Sequence, residues 1–121
     1  MQHGMRAYRT VATEIASPRE LEADLLLKAG ARLQAVCDTW DSNKSDLDGA
    51  LLFNRKLWTV FLSSVTSGDS PLPPEIRQNI ASLGAYIMSQ TIALTSNPRI
   101  EVVASLVNIN RELAAGLRGR G

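Results

Sequence analysis

Apolar side chains recur at every third and fourth position along most of this chain, the period of helices that bury one face. Leu21, Leu25, Ala29, Leu33, Val36 and Trp40 make one such stripe and predict a helix over roughly residues 18–40. Ser17-Pro18-Arg19-Glu20 opens it as a capping box. The serine oxygen accepts from orphan amides, Glu20 reaches back to the Ser17 amide, and proline suits the first helical position. Asp41-Ser42-Asn43-Lys44 breaks the pattern, after which Ser45 or Asp46 can cap a second helix with Asp48 in its first turn. Its stripe is Leu47, Leu51, Asn54, Trp58, Phe61 and Val65, and Ser67-Gly68-Asp69-Ser70-Pro71 ends it.

Pro73-Pro74-Glu75 starts a third helix with Ile76, Ile80, Leu83, Ile87 and Leu94 on one face. Gly84, beside that face, allows a close helix crossing. Asn97-Pro98 reads as a cap and a first-position proline, followed by Ile100, Val103, Val107, Asn110, Ala114 and Leu117 at helical spacing. Met5, Tyr8, Val11, Ala12 and Ile15 suggest a short leading helix, and the terminal Arg118-Gly119-Arg120-Gly121 is expected to fray. No segment alternates as a strand does, and the connections are short. The predicted fold is an all-α, compact antiparallel bundle of four main helices with an additional short N-terminal helix, forming a single domain over residues 1–121.

Three features complicate the pattern. The second helix is apolar over more than the ~100° arc a surface helix needs, because Phe53, Val60 and Leu52 lie outside its main stripe. Either it is the central helix or part of its flank meets a partner. The third helix carries a weaker strip of Ala81, Ala85, Met88 and Ile92, which suits a docked amphipathic helix or cover from within the bundle. Asn54 and Asn110 sit inside apolar arcs, each followed by an arginine in the echoing runs Phe53-Asn54-Arg55-Lys56-Leu57 and Ile109-Asn110-Arg111-Glu112-Leu113. A buried asparagine must be hydrogen-bonded. The two side chains can therefore meet each other, a backbone carbonyl or a water and fix helix register, or they can contact a partner.

Composition removes most chemistry. The net charge is +1, from 13 basic and 12 acidic residues, which argues against a broad nucleic-acid or membrane-surface footprint. The start of the chain has no apolar signal region, and no stretch approaches the ~20 apolar residues of a membrane span. The one histidine, His3, lies at the terminus, and the one cysteine, Cys37, lies on the apolar side of the first helix, where it reads as a small hydrophobe. A Ser-His-Asp or Cys-His nucleophile, a zinc cluster and an intrachain disulfide are all disfavoured. The acids from Asp38 to Asp48 do not form a calcium loop, since Asp46 stands where glycine is needed and Leu52 where glutamate is needed. No Gly-rich phosphate loop is present. The chain reads as a non-enzymatic adaptor, with no metal or cofactor expected.

SPRELEADLLLKA, RLQAV with the following Trp40-Asp41, LDGALLFNRKLWTVFL, PLPPEIRQNIASLG and INRELAAGLRGR resemble the FlaF family of flagellar biosynthesis regulators, in that family's order and spacing. The resemblance implies a helical, cytoplasmic bacterial protein that supports the synthesis or export of flagellin. It further implies a flagellin chaperone or a regulator of flagellin synthesis that works alongside FlbT. On that basis flagellin is the expected partner, held by helix-in-groove binding of its amphipathic segments. FlbT is a second candidate partner. Post-transcriptional control through RNA, directly or with FlbT, is the alternative, although no RNA-binding module or aromatic-basic platform is visible for direct contact. Candidate bundle and rim residues are Asn54, Arg55, Trp58, Asn110 and Arg111, with Phe53, Met88 and Ile92 as groove candidates.

Overall fold

The computed structural model describes residues 18–42 and 44–119. Its helices are α1 (Pro18–Asp38), α2 (Leu47–Thr66), α3 (Pro74–Ser96) and α4 (Ile100–Leu117), and a single 3-10 turn, Lys44–Asp46, leads into α2. No strand occurs among the described residues. The expected leading helix and the serine of the capping box lie outside them.

Cross-helix contacts give the topology. Phe53 of α2 lies under Lys28 and Arg32 of α1. Leu62 of α2 faces Gly84 of α3. Tyr86 of α3 reaches Ser105 of α4. Asn110 and Arg118 of α4 meet Leu26 and Asp24 of α1. Rising numbers on one helix meet falling numbers on the next at each seam, so the bundle runs up-down-up-down. The α1–α4 seam is the most extensive, α2 packs on both α1 and α3, and α3 meets α4 most lightly.

Helix ends follow sequence chemistry with two exceptions. Proline at the first position starts α3 as expected, with the Arg77 N–H bonded to the Pro73 carbonyl at 3.0 Å. Asp46 precedes α2 but keeps a helical backbone and makes no capping side-chain bond, because the 3-10 turn already directs the chain into the helix. Asn97 closes α3 instead of opening α4. Its N–H bonds to the Ala93 carbonyl at 2.9 Å, and the extended Arg99 is the residue before α4. Pro98 therefore separates two helices without entering either. The Arg118 guanidinium pairs with Asp24 of α1.

The core is one apolar cluster drawn from all four helices. The whole predicted α2 stripe is buried, as are Ile80, Ile87 and Leu94 of α3 and Val103, Val107 and Ala114 of α4. The phase of α1 differs from expectation over its first turns. Ala23 and Leu26 are buried there, whereas Leu21 and Leu25 are exposed. The reason is the α4 contact: Gly30 and Asn110 fix which face of α1 turns inward, and Ala23 and Leu26 share that face. Ile76 and Ile100 begin their stripes at the ends of helices and remain exposed.

Candidate functional site

At the centre of the bundle lies a polar network on apolar walls. Asn110 donates through Nδ2 to the Leu26 carbonyl at 3.2 Å and to Asn54 Oδ1 at 2.8 Å. Trp58 donates through Nε1 to Asn110 Oδ1 at 3.0 Å. The Trp58 ring stands edge-on to Phe61, with centroids 5.5 Å apart. All three polar side chains are fully buried. Asn110 thus ties α4 to α1 and α2 at one point, which fixes the axial register of three helices. Asn54 gives only its oxygen, and its Nδ2 has no hydrogen-bond partner among the described residues. Asn54, Trp58 and Asn110 belong to the bundle and present no surface to a rim, because burial leaves nothing for a second molecule to touch.

The remaining candidates separate across the surface. Phe53 is half-buried at the α1–α2 seam, with Lys28 Nζ 5.9 Å and Arg32 Cζ 5.2 Å from its ring centroid. Cations over an aromatic face hold it in place and restrict access to that face. Arg111 is exposed on α4, which packs against α1 and α3. Arg55 of α2 lies at the α2–α3 seam, and Met88 and Ile92 are carried by α3. At that seam Asp48, Leu51, Leu52, Arg55, Thr91 and Thr95 line a hollow of about 340 Å3. Ile92 is 69% exposed and Leu52 42% exposed, while Met88 is half-buried against the core. The hollow has an apolar floor, charges of both signs at its edge and hydroxyls along one side. Thr91 already uses its hydroxyl, donating to the Ile87 carbonyl at 2.6 Å.

A second hollow, about 380 Å3, lies where α3 and α4 meet lightly and is lined by Leu83, Asn108, Ile109, Glu112 and Leu113. Sequence reasoning assigned Leu83 to the core and did not single out Ile109 or Leu113. The signal was present, since Val102, Ile109 and Leu113 form a minor apolar strip on α4 outside the main stripe. The weaker α3 strip divides. Met88 joins the core edge, while Ala81 and Ala85 line a shallow depression with Thr66, Pro74, Arg77, Gln78 and Ser82.

Reactive chemistry is sparse in this setting. Cys37 is half-buried against the core, and burial, then the neighbouring Asp38 carboxylate, pushes its thiol above the usual cysteine range. A thiol so placed is a weak nucleophile at neutral pH. Among the described residues no group of three or more His, Cys, Asp or Glu side chains gathers to hold a metal, and no helix is long and apolar enough to cross a membrane.

No curated protein and no solved structure matches the chain. A family model does: the one described as flagellar protein FlaF matches residues 4–117, nearly the whole length and all four described helices. The chain belongs to the FlaF family of flagellar proteins.

Proposed function

We propose that this protein is a flagellin-binding chaperone or adaptor, and that an amphipathic flagellin segment lies along the outer α2–α3 surface. One observation carries the reading. Leu52 is exposed at a hollow that Arg55 and Asp48 also line, and Ile92 is exposed on α3 next in the chain to the lining residue Thr91, on a protein whose family is flagellar. Covering apolar side chains supplies affinity, and charges of both signs at the edge favour one direction of the docked helix. Phe53 and Arg111 lie away from this surface and set its limits.

Ile92→Asp and Arg55→Glu test the reading, because both side chains are exposed and their loss leaves the core intact. Losing a buried isoleucine contact costs about 1.5–3 kcal/mol, roughly a ten- to hundredfold weakening. Titrating purified flagellin into each folded variant should show that loss for Ile92→Asp, with a smaller loss for Arg55→Glu. Parent-like affinity in both would reject this surface. Met88→Asp is a poorer probe, since Met88 also packs against the core. In parallel, saturable and steeply salt-dependent binding of flagellin leader RNA by the protein alone would point to post-transcriptional control.

A further inference from the structure

The hollow at the α2–α3 seam carries a charge pattern that narrows what can occupy it, and the inference rests on the docking surface proposed above. Asp48 and Arg55 both line the hollow and stand seven residues apart on α2. Seven residues is close to two helical turns, so the two share one side of α2, about 10.5 Å apart along its axis. Leu51 and Leu52 fall between them, three and four residues from each charge. Leu51 is buried in the floor, and Leu52 is 42% exposed. Asp48 and Arg55 are themselves exposed, and among the described residues neither takes part in an ion pair.

The opposite wall adds no charge. From Gln78 to Ser96, α3 has no acidic or basic residue. Thr91 and Thr95, its two lining residues, donate their hydroxyls to the Ile87 and Ile92 carbonyls, each at 2.6 Å. Hydroxyl protons committed to their own helix are not offered to an occupant. Two side chains of α2 therefore set the electrostatics of the hollow. A helix seated between α2 and α3 runs parallel to one wall and antiparallel to the other, because those walls are antiparallel. The walls leave its direction open, and the charges decide it.

We propose that the occupant is an amphipathic helix with one basic and one acidic residue seven positions apart and apolar residues three and four positions from each. The basic residue lies over Asp48 and the acidic one over Arg55. A base-first segment then runs parallel to α2, and an acid-first segment runs antiparallel. Two like charges at that spacing set one of them against its own sign, which selects against such segments.

Three designed helical peptides of one length test this, identical except at the two charged positions: lysine then glutamate, glutamate then lysine, and glutamate at both. Each carries a nitroxide at its N-terminus and is titrated at low salt into the isotope-labelled full chain, with backbone amides followed by NMR. The two mixed peptides should bind alike and about threefold tighter than the doubly acidic one, with the difference shrinking in about 0.5 M salt. The lysine-first nitroxide should broaden amides around Asp48, and the glutamate-first nitroxide those around Arg55. Asp48→Lys, an exposed change, should make the doubly acidic peptide the tightest of the three. Equal affinities, or broadening at the same end by both mixed peptides, overturn this inference and leave the docking surface standing. No broadening along the α2–α3 seam by any of the three removes the surface and the inference together.

Discussion

Asn110 is the side chain on which most interactions converge. Its amide meets the Leu26 carbonyl, Asn54 Oδ1 and Trp58 Nε1. Replacing it with leucine removes three buried hydrogen bonds at about 1 kcal/mol each, so Asn110→Leu should lose about 3 kcal/mol in urea denaturation. Asn54→Leu should cost far less, about 1 kcal/mol, because it breaks one bond and also removes a buried N–H group that has no partner among the described residues. Equal losses would show that the network is not centred on Asn110. Asparagines within apolar arcs were visible in the sequence, and so was the possibility of their meeting. The participation of Trp58 was not, because nothing in a helical period says which way an indole N–H points.

At the scale of helices, two glycines at crossings behave differently. A Cβ on Gly84 would sit 2.5 Å from Leu62 Cδ1 and 3.0 Å from its Cγ, so one side chain or one helix must shift. Seating that Cβ costs about 1–3 kcal/mol by overpacking against the ~1 kcal/mol that alanine returns in helix propensity, so Gly84→Ala should destabilise by up to about 2 kcal/mol. Leu62→Ala in the same chain should recover part of the loss in thermal melts. A Cβ on Gly30 would meet Asn110 Cβ at 3.6 Å, an ordinary contact. Gly30→Ala should therefore leave the melting temperature unchanged or raise it. Gly84 was legible because it lies beside an apolar face. The phase of α1 was not, since Leu21, Leu25, Ala29 and Leu33 satisfy the helical period as well as Ala23, Leu26, Ala29 and Leu33 do. Hydrophobicity alone favours the leucines, and only the close approach to α4 at Gly30 decides for the smaller Ala23. Asn97 shows the same limit at a boundary. The pair Asn-Pro marks a helix end without saying which of two helices it belongs to.

For the molecule as a whole, four helices and their antiparallel order could be read from period, proline and short loops. The surface was harder. The sequence pattern offers Phe53, Arg55, Met88, Ile92 and Arg111 alike as partner candidates, yet Arg55 lines the α2–α3 hollow, Phe53 lies at the α1–α2 seam and Arg111 is on α4. Which exposed flanks become neighbours depends on helix order around the bundle, and a one-dimensional pattern does not carry it. Flagellin affinity is the measurement that belongs at this scale, with Ile92→Asp weakening it and a charge reversal at Arg111 leaving it near the parent's.

The seams of the bundle are unequal, and that bears on how the protein opens. The α1–α4 seam is the broadest and holds the buried amide network, while α3 rests on α2 and touches α4 only lightly. Cooperative units of different free energy follow from such asymmetry. In deuterium oxide, backbone amides of α3 should exchange well before those at the centres of α1 and α4, by a sub-global excursion that leaves the other three helices assembled. An incoming polypeptide would then find the least protected helix already forming one wall of its seat.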